Sequence, residues 1–107
     1  MIQKPVILRR RAEDDIDAAI AYYLNEAGAD IAADFVEQLE EATKKISKQP
    51  ASGSPRYAHE LYIADLRYWS MKRFPYLIFY IEKERYIEIG RVLHSSRDIP
   101  SAIDESD

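Results

Sequence analysis

The sequence predicts an α+β domain of element order β-α-α-β-β-β, with a helical hairpin packed on one face of a small, mainly antiparallel sheet. Three observations lead there. Two amphipathic stretches follow one another with only a short interruption. Two runs rich in aromatic and β-branched residues, Tyr76-Leu77-Ile78-Phe79-Tyr80-Ile81 and Tyr86-Ile87-Glu88-Ile89-Gly90-Arg91-Val92-Leu93, flank the charged Glu82-Lys83-Glu84-Arg85. A chain of 107 residues has room for a single core, so residues 1–107 are read as one domain. The paired runs read as antiparallel strands joined by a short turn. In the first of them both alternating sets, Tyr76/Ile78/Tyr80 and Leu77/Phe79/Ile81, are largely apolar, so both faces of that strand need cover.

Taken in order, Val6-Ile7-Leu8 is a short apolar run between Pro5 and Arg9-Arg10-Arg11, and it predicts a buried strand of minimal length. Ala12, Ile16, Ala19, Ile20, Tyr23, Leu24 and Ala27 recur at helical spacing and predict a helix over residues 11–26 that Gly28 ends. Glu13, Asp14 and Asp15 fall in its first turn, where acidic groups favour the positive end of the helix dipole. Tyr22 and Tyr23 point about 100° apart, and Tyr23 is the one that fits the apolar stripe. Asp30 is the expected N-cap of a second helix carrying Ile31, Phe35, Leu39, Ala42 and Ile46, which Gln49-Pro50 ends. A link of three or four residues forces the two helices antiparallel.

Residues 50–64, with Pro50, Ser52, Gly53, Ser54 and Pro55, read as an irregular connection. Leu66-Arg67-Tyr68-Trp69-Ser70-Met71 reads as the next strand, and Lys72-Arg73-Phe74-Pro75 as the turn into the central pair. One helical hairpin covers one side of such a sheet. The other side is therefore expected to stay open as a binding surface for another protein, which lays a helix or strand across it; the plainer alternative is that residues 50–64 or the C-terminal tail fold back as cover.

Charged residues at 32% and hydrophobic residues at 47% fit a soluble globular protein. No apolar stretch approaches the roughly 18–20 residues a membrane span needs, and the N-terminus has no signal-peptide pattern, so the expected location is the cytoplasm. The absence of cysteine excludes disulfides, thiolate metal sites and cysteine nucleophiles. Two histidines, His59 and His94, without ligand spacing imply neither metal nor cofactor. A net charge of −4 argues against a protein whose main work is to hold a nucleic-acid backbone, although Arg9-Arg10-Arg11, Lys72-Arg73 and Arg91/Arg97 form basic patches near strand ends.

The element order, with the run Arg73-Phe74-Pro75-Tyr76-Leu77-Ile78-Phe79-Tyr80 and the ending Arg91-Val92-Leu93-His94-Ser95-Ser96-Arg97-Asp98, resembles the RelE/ParE superfamily of type II toxin–antitoxin toxins. Ala12, Asp15, Ala33, Phe35 and Pro50-Ala51-Ser52-Gly53 fall where that family's weaker markers fall. RelE-like members are ribosome-dependent mRNA endonucleases, ParE-like members poison DNA gyrase, and an antitoxin silences either kind. RelE-like toxins commonly place an arginine in the central strand and a tyrosine or histidine near the C-terminus. Here the strand position is Leu77 and no tyrosine follows Arg97, so the likeness is closer to ParE. The resemblance implies a plasmid-stabilising type of toxin that binds gyrase without catalysing a reaction, with a ParD-like antitoxin as partner in a hetero-oligomer. The alternatives it leaves are a nuclease using Arg91, His94 and Arg97, with Lys72 or Arg73 on phosphates, or an inactive relic.

The candidate target- or partner-binding residues are Arg67, Trp69, Arg73, Tyr76, Tyr80, Arg91, His94 and Arg97, drawn from the basic strand ends and the aromatic strands. For Trp69, His94 and Arg97 a plainer structural role is also open. Trp69 alternates with Arg67 and Met71 and is either core or an anchor for a partner. His94 is either a backbone-bonded strand-end residue or an acid–base group with a pKa near neutrality. Arg97, beside Asp98, either forms local ion pairs or presents its guanidinium outward.

Overall fold

The two amphipathic stretches form α1 (Arg10–Ala27) and α2 (Ala29–Lys48) in the computed structural model, which describes residues 3–103. Between them stands one residue, Gly28, rather than a link of three or four. Its φ of 96° and ψ of 171° belong to a region that side chains with a Cβ rarely enter, and its N–H donates to Tyr23 O at 3.0 Å. Asp30 therefore lies inside the first turn of α2 and does not cap it.

Four strands follow the expected order: β1 (Val6–Leu8), β2 (Leu66–Ser70), β3 (Tyr76–Glu82) and β4 (Ile87–His94), arranged β1-β4-β3-β2. β1 runs parallel to β4, and the other pairs are antiparallel. This corrects one expectation. β1 is an edge strand, with Ile7 50% and Leu8 38% exposed, because a three-residue apolar run does not reveal whether it sits in the middle or at the rim of a sheet. Between β3 and β4, Phe79 opposes Arg91 and Tyr80 opposes Ile89, which leaves Gly90 of β4 as an extra, bulged residue.

On one face of the sheet α1 and α2 bury Ile16, Phe35 and Ile46 against Ile78, Ile87, Ile89 and Val92. Tyr23, Phe35, Phe74 and Tyr76 close one end of this layer in edge-on contacts, such as Tyr23–Phe74 at 5.1 Å and Phe35–Tyr76 at 5.3 Å between ring centroids. The stripe drawn for α1 holds for Ala12, Ile16, Ala19 and Tyr23, whereas Leu24 is 51% exposed.

Most of the opposite face is covered by the chain itself, so the wide apolar face expected to await a partner is not there. Residues 50–64 are not irregular: they hold a 3-10 turn (Pro50–Ser52) and α3 (Arg56–Leu61), and α4 (Ile99–Ile103) follows the last strand. Tyr57 packs against Tyr68 and Phe79 at 5.8 and 5.9 Å, and Ile99 and Ala102 bury Leu93. Pro50 opens the turn and Pro55 caps α3, positions where a helix start needs no N–H, so prolines that read as breakers act as initiators. No helix among the described residues is long and apolar enough to cross a membrane.

Candidate functional site

Arg91 extends past the end of β1, where β4 has no further strand beside it. Its Nε donates to Asp15 Oδ2 at 2.8 Å, its Nη2 to Asp15 Oδ1 at 3.0 Å and its Nη1 to Ala102 O at 2.8 Å. Asp15 Oδ2 also accepts the Val92 N–H at 2.9 Å, doing for that amide what a neighbouring strand would. The two side chains are 12% and 13% exposed, so this is a nearly enclosed bidentate pair joining α1, β4 and α4. Asp15, placed at sequence level in the first turn as a dipole partner, has this different task. Its pairing with Arg91 is the functional-region contact that sequence reasoning missed. Both residues lie in stretches that carry the family likeness, but nothing local couples residue 15 to residue 91.

Tyr80 is 1% exposed and its hydroxyl donates to Pro50 O at 2.7 Å; Arg67 Nη1 donates to Gly53 O at 2.7 Å. Both side chains tie the 3-10 turn to the sheet, which corrects the reading of Tyr80 as a partner contact: an enclosed ring meets no partner. Gly53 is buried against the Tyr80 hydroxyl and leaves no space for a Cβ. Burial pushes the Tyr80 phenol above its ordinary pKa, a shift that its bond at Gly53 and the Arg67 charge oppose. Trp69 is partly buried on the helix side, beside Lys45 and Lys72, whose ammonium groups lie near enough to lower the Lys45 pKa.

At the other end of β4, the His94 ring meets Tyr76 edge-on at 5.2 Å. His94 Nδ1 accepts the Ser96 N–H at 3.1 Å and lies 2.7 Å from Ser96 Oγ. Tyr76 is itself pushed above the ordinary tyrosine pKa, first by burial and then by Tyr23 and Tyr22. Arg73, at φ 72°, pairs with Asp34 at 3.0 Å and stacks over Phe74 at 5.8 Å. Arg97 is exposed, and its backbone N–H donates to His94 O at 3.0 Å. No side-chain hydrogen bond among the described residues joins Arg91, His94 and Arg97. Leu77 packs with the α3/α4 layer. No group of three His, Asp or Glu side chains among the described residues is placed to hold a metal ion.

The family described as "ParE toxin of type II toxin-antitoxin system, parDE" matches residues 6–99. A chain in the solved structure of a chromosomal ParDE toxin–antitoxin system from P. aeruginosa superposes with a TM-score of 0.72, covering 86% of this chain and 96% of that one at 22% identity. At that identity the likeness is one of fold. Curated protein sequences give no significant match.

Proposed function

Because this chain belongs to the ParE toxin family of type II toxin–antitoxin systems, we propose that it is a toxin that inhibits DNA gyrase by binding and is neutralised by a cognate antitoxin. The observation that carries the non-catalytic part is the state of Arg91. Cutting RNA at its own 2′-hydroxyl needs a cation directed at the developing phosphorane charge and groups to move two protons. Arg91 Nε, Nη1 and Nη2 each already donate within the protein, so its charge serves the fold. His94 Nδ1 is taken up by Ser96, and the central-strand position is the apolar Leu77. Exposed Arg97 and the Arg73–Asp34 pair remain as contact groups for a target. The ParDE system superposed above supports an antitoxin as the partner.

The test is plasmid supercoiling by purified gyrase with increasing amounts of antitoxin-free protein. The reading expects inhibition with accumulating linear DNA, reversed by the antitoxin and retained by His94→Ala. No effect from folded protein would overturn it. Cleavage of mRNA in a translation extract, lost in His94→Ala, would establish the nuclease instead.

A further inference from the structure

The charges of this chain are unevenly placed. Asp104, Glu105 and Asp107 put three of its 19 acidic residues within four positions; without them 16 acidic residues face 15 basic ones, so most of the net charge of −4 belongs to residues 104–107. Arg9, Arg10 and Arg11 form the densest basic run, and with Asp14 they line an open hollow of about 360 Å3 at the start of α1. Three guanidinium groups around one carboxylate leave that hollow cationic.

The fold brings the two stretches together. Arg91 Nη1 donates to Ala102 O at 2.8 Å while its Nε donates to Asp15, so α4 ends against the first turns of α1. Ile103 and Arg9 line the same groove, of about 280 Å3, and Arg9 also belongs to the wall of the arginine hollow. The four residues that follow Ile103 span up to about 13 Å when extended, enough to cross a groove of that size.

We propose that the carboxylates of Asp104, Glu105 and Asp107 occupy the arginine hollow as an intramolecular counterion. A guanidinium fork pairs with a carboxylate in two hydrogen bonds, which suits arginine to this task. Each such pair is weak when exposed, but tethering to α4 keeps three carboxylates at high local concentration, so the weak pairs act together. The consequence is a built-in screen. An anionic surface gains Arg9, Arg10 and Arg11 only by displacing residues 104–107, and high salt loosens the contact from both sides.

The experiment compares wild type with Asp104→Asn/Glu105→Gln/Asp107→Asn, which keeps the chain length. The control is Glu37→Gln/Glu40→Gln/Glu60→Gln, which removes the same charge from exposed positions on α2 and α3. Thermal melts check that each is folded. In proton–nitrogen correlation spectra, neutralising residues 104–107 shifts the Nε–Hε signals of Arg9, Arg10 and Arg11 and the amides of residues 9–14. Added salt moves the same wild-type signals, and the control leaves them in place. On immobilised heparin, a sulfated polyanion, the variant at residues 104–107 elutes at higher salt than the control, and adding Arg10→Gln to it brings elution back. Arg10 is exposed at the start of α1, so that change leaves the fold intact. Spectral changes confined to residues 101–107 would overturn the inference. So would elution of the variant together with the control, or elution that Arg10→Gln does not alter, since the polyanion would then be held elsewhere.

Discussion

Replacing Asp15 by alanine strikes the contact on which three elements converge. The carboxylate accepts Arg91 Nε, Arg91 Nη2 and Val92 N, and its removal leaves a guanidinium and a backbone amide without partners in a place only 12–13% exposed. Breaking one side of an enclosed pair costs about 3–5 kcal/mol, and the residual exposure here lets water recover part of that, which brings the figure to about 2–4 kcal/mol. For a domain of this size that is a fall in Tm of roughly 10–20 °C. Arg91→Ala loses the same pair and also frees the Ala102 carbonyl, so α4 loosens with it. The assay is urea unfolding of Asp15→Ala, Arg91→Met and the Asp15→Leu/Arg91→Met double variant. The double variant is expected to lie closer to wild type than Asp15→Ala does, because a packed apolar pair leaves no orphaned charge. If Asp15→Ala unfolds within about 0.5 kcal/mol of wild type, the pair is not structural and the reason for setting Arg91 aside as a catalytic cation disappears.

Tyr80→Phe removes the hydroxyl bonded to Pro50 O and should cost about 1 kcal/mol in urea unfolding, with no change meaning that the 3-10 turn is held by other contacts. Gly53→Ala drives a Cβ into the same hydroxyl and should cost about 1–3 kcal/mol; wild-type stability would show that the turn moves aside freely. Gly28→Ala forces a side chain into the φ 96°, ψ 171° junction and should also cost about 1–3 kcal/mol, a figure that a thermal melt checks. Tyr23, Tyr76 and Tyr80 all have pKa values raised above the ordinary value of about 10, chiefly by burial. The folded state therefore holds these protons more tightly than the unfolded state. Their contribution to stability is complete below about pH 10 and is lost as pH rises through the folded values, so melts across the alkaline range should fall, and less steeply in Tyr80→Phe.

The periodic elements were legible because each repeats its signal: α1 and α2 over five turns, β3 and β4 through alternation. α3 and α4 were not, being six and five residues long, less than the length over which a helical period can be recognised. That shortness explains the largest misreading. A sheet face apolar on both sides demanded cover, and the cover came from segments too short to announce themselves. The same double-sided apolarity hid the role of Tyr80. On a strand with one wet face, alternation separates inward from outward side chains, but on β3 it could not show that a tyrosine hydroxyl was turned to Pro50 O. Asp15 and Arg91 failed for another reason: an ion pair between residues far apart in the chain leaves no local pattern.

Once both faces of the sheet are covered, strand pairing with a partner has only the two edges to use, and they differ. On the outer side of β2, Ser54 exchanges two backbone hydrogen bonds with Tyr68, each 2.9 Å, a short bridge that blunts this edge at its middle. No such bridge is present on β1 among the described residues, where two side chains of three are exposed and apolar. The edge next to Arg9, Arg10 and Arg11 is thus the one that keeps its backbone available. His94, Tyr76 and Arg97 gather instead around the C-terminal end of β4, and β1 pairs only as far along β4 as Ile89. A partner that adds a strand to β1 and a target that grips the C-terminal end of β4 would meet different residues.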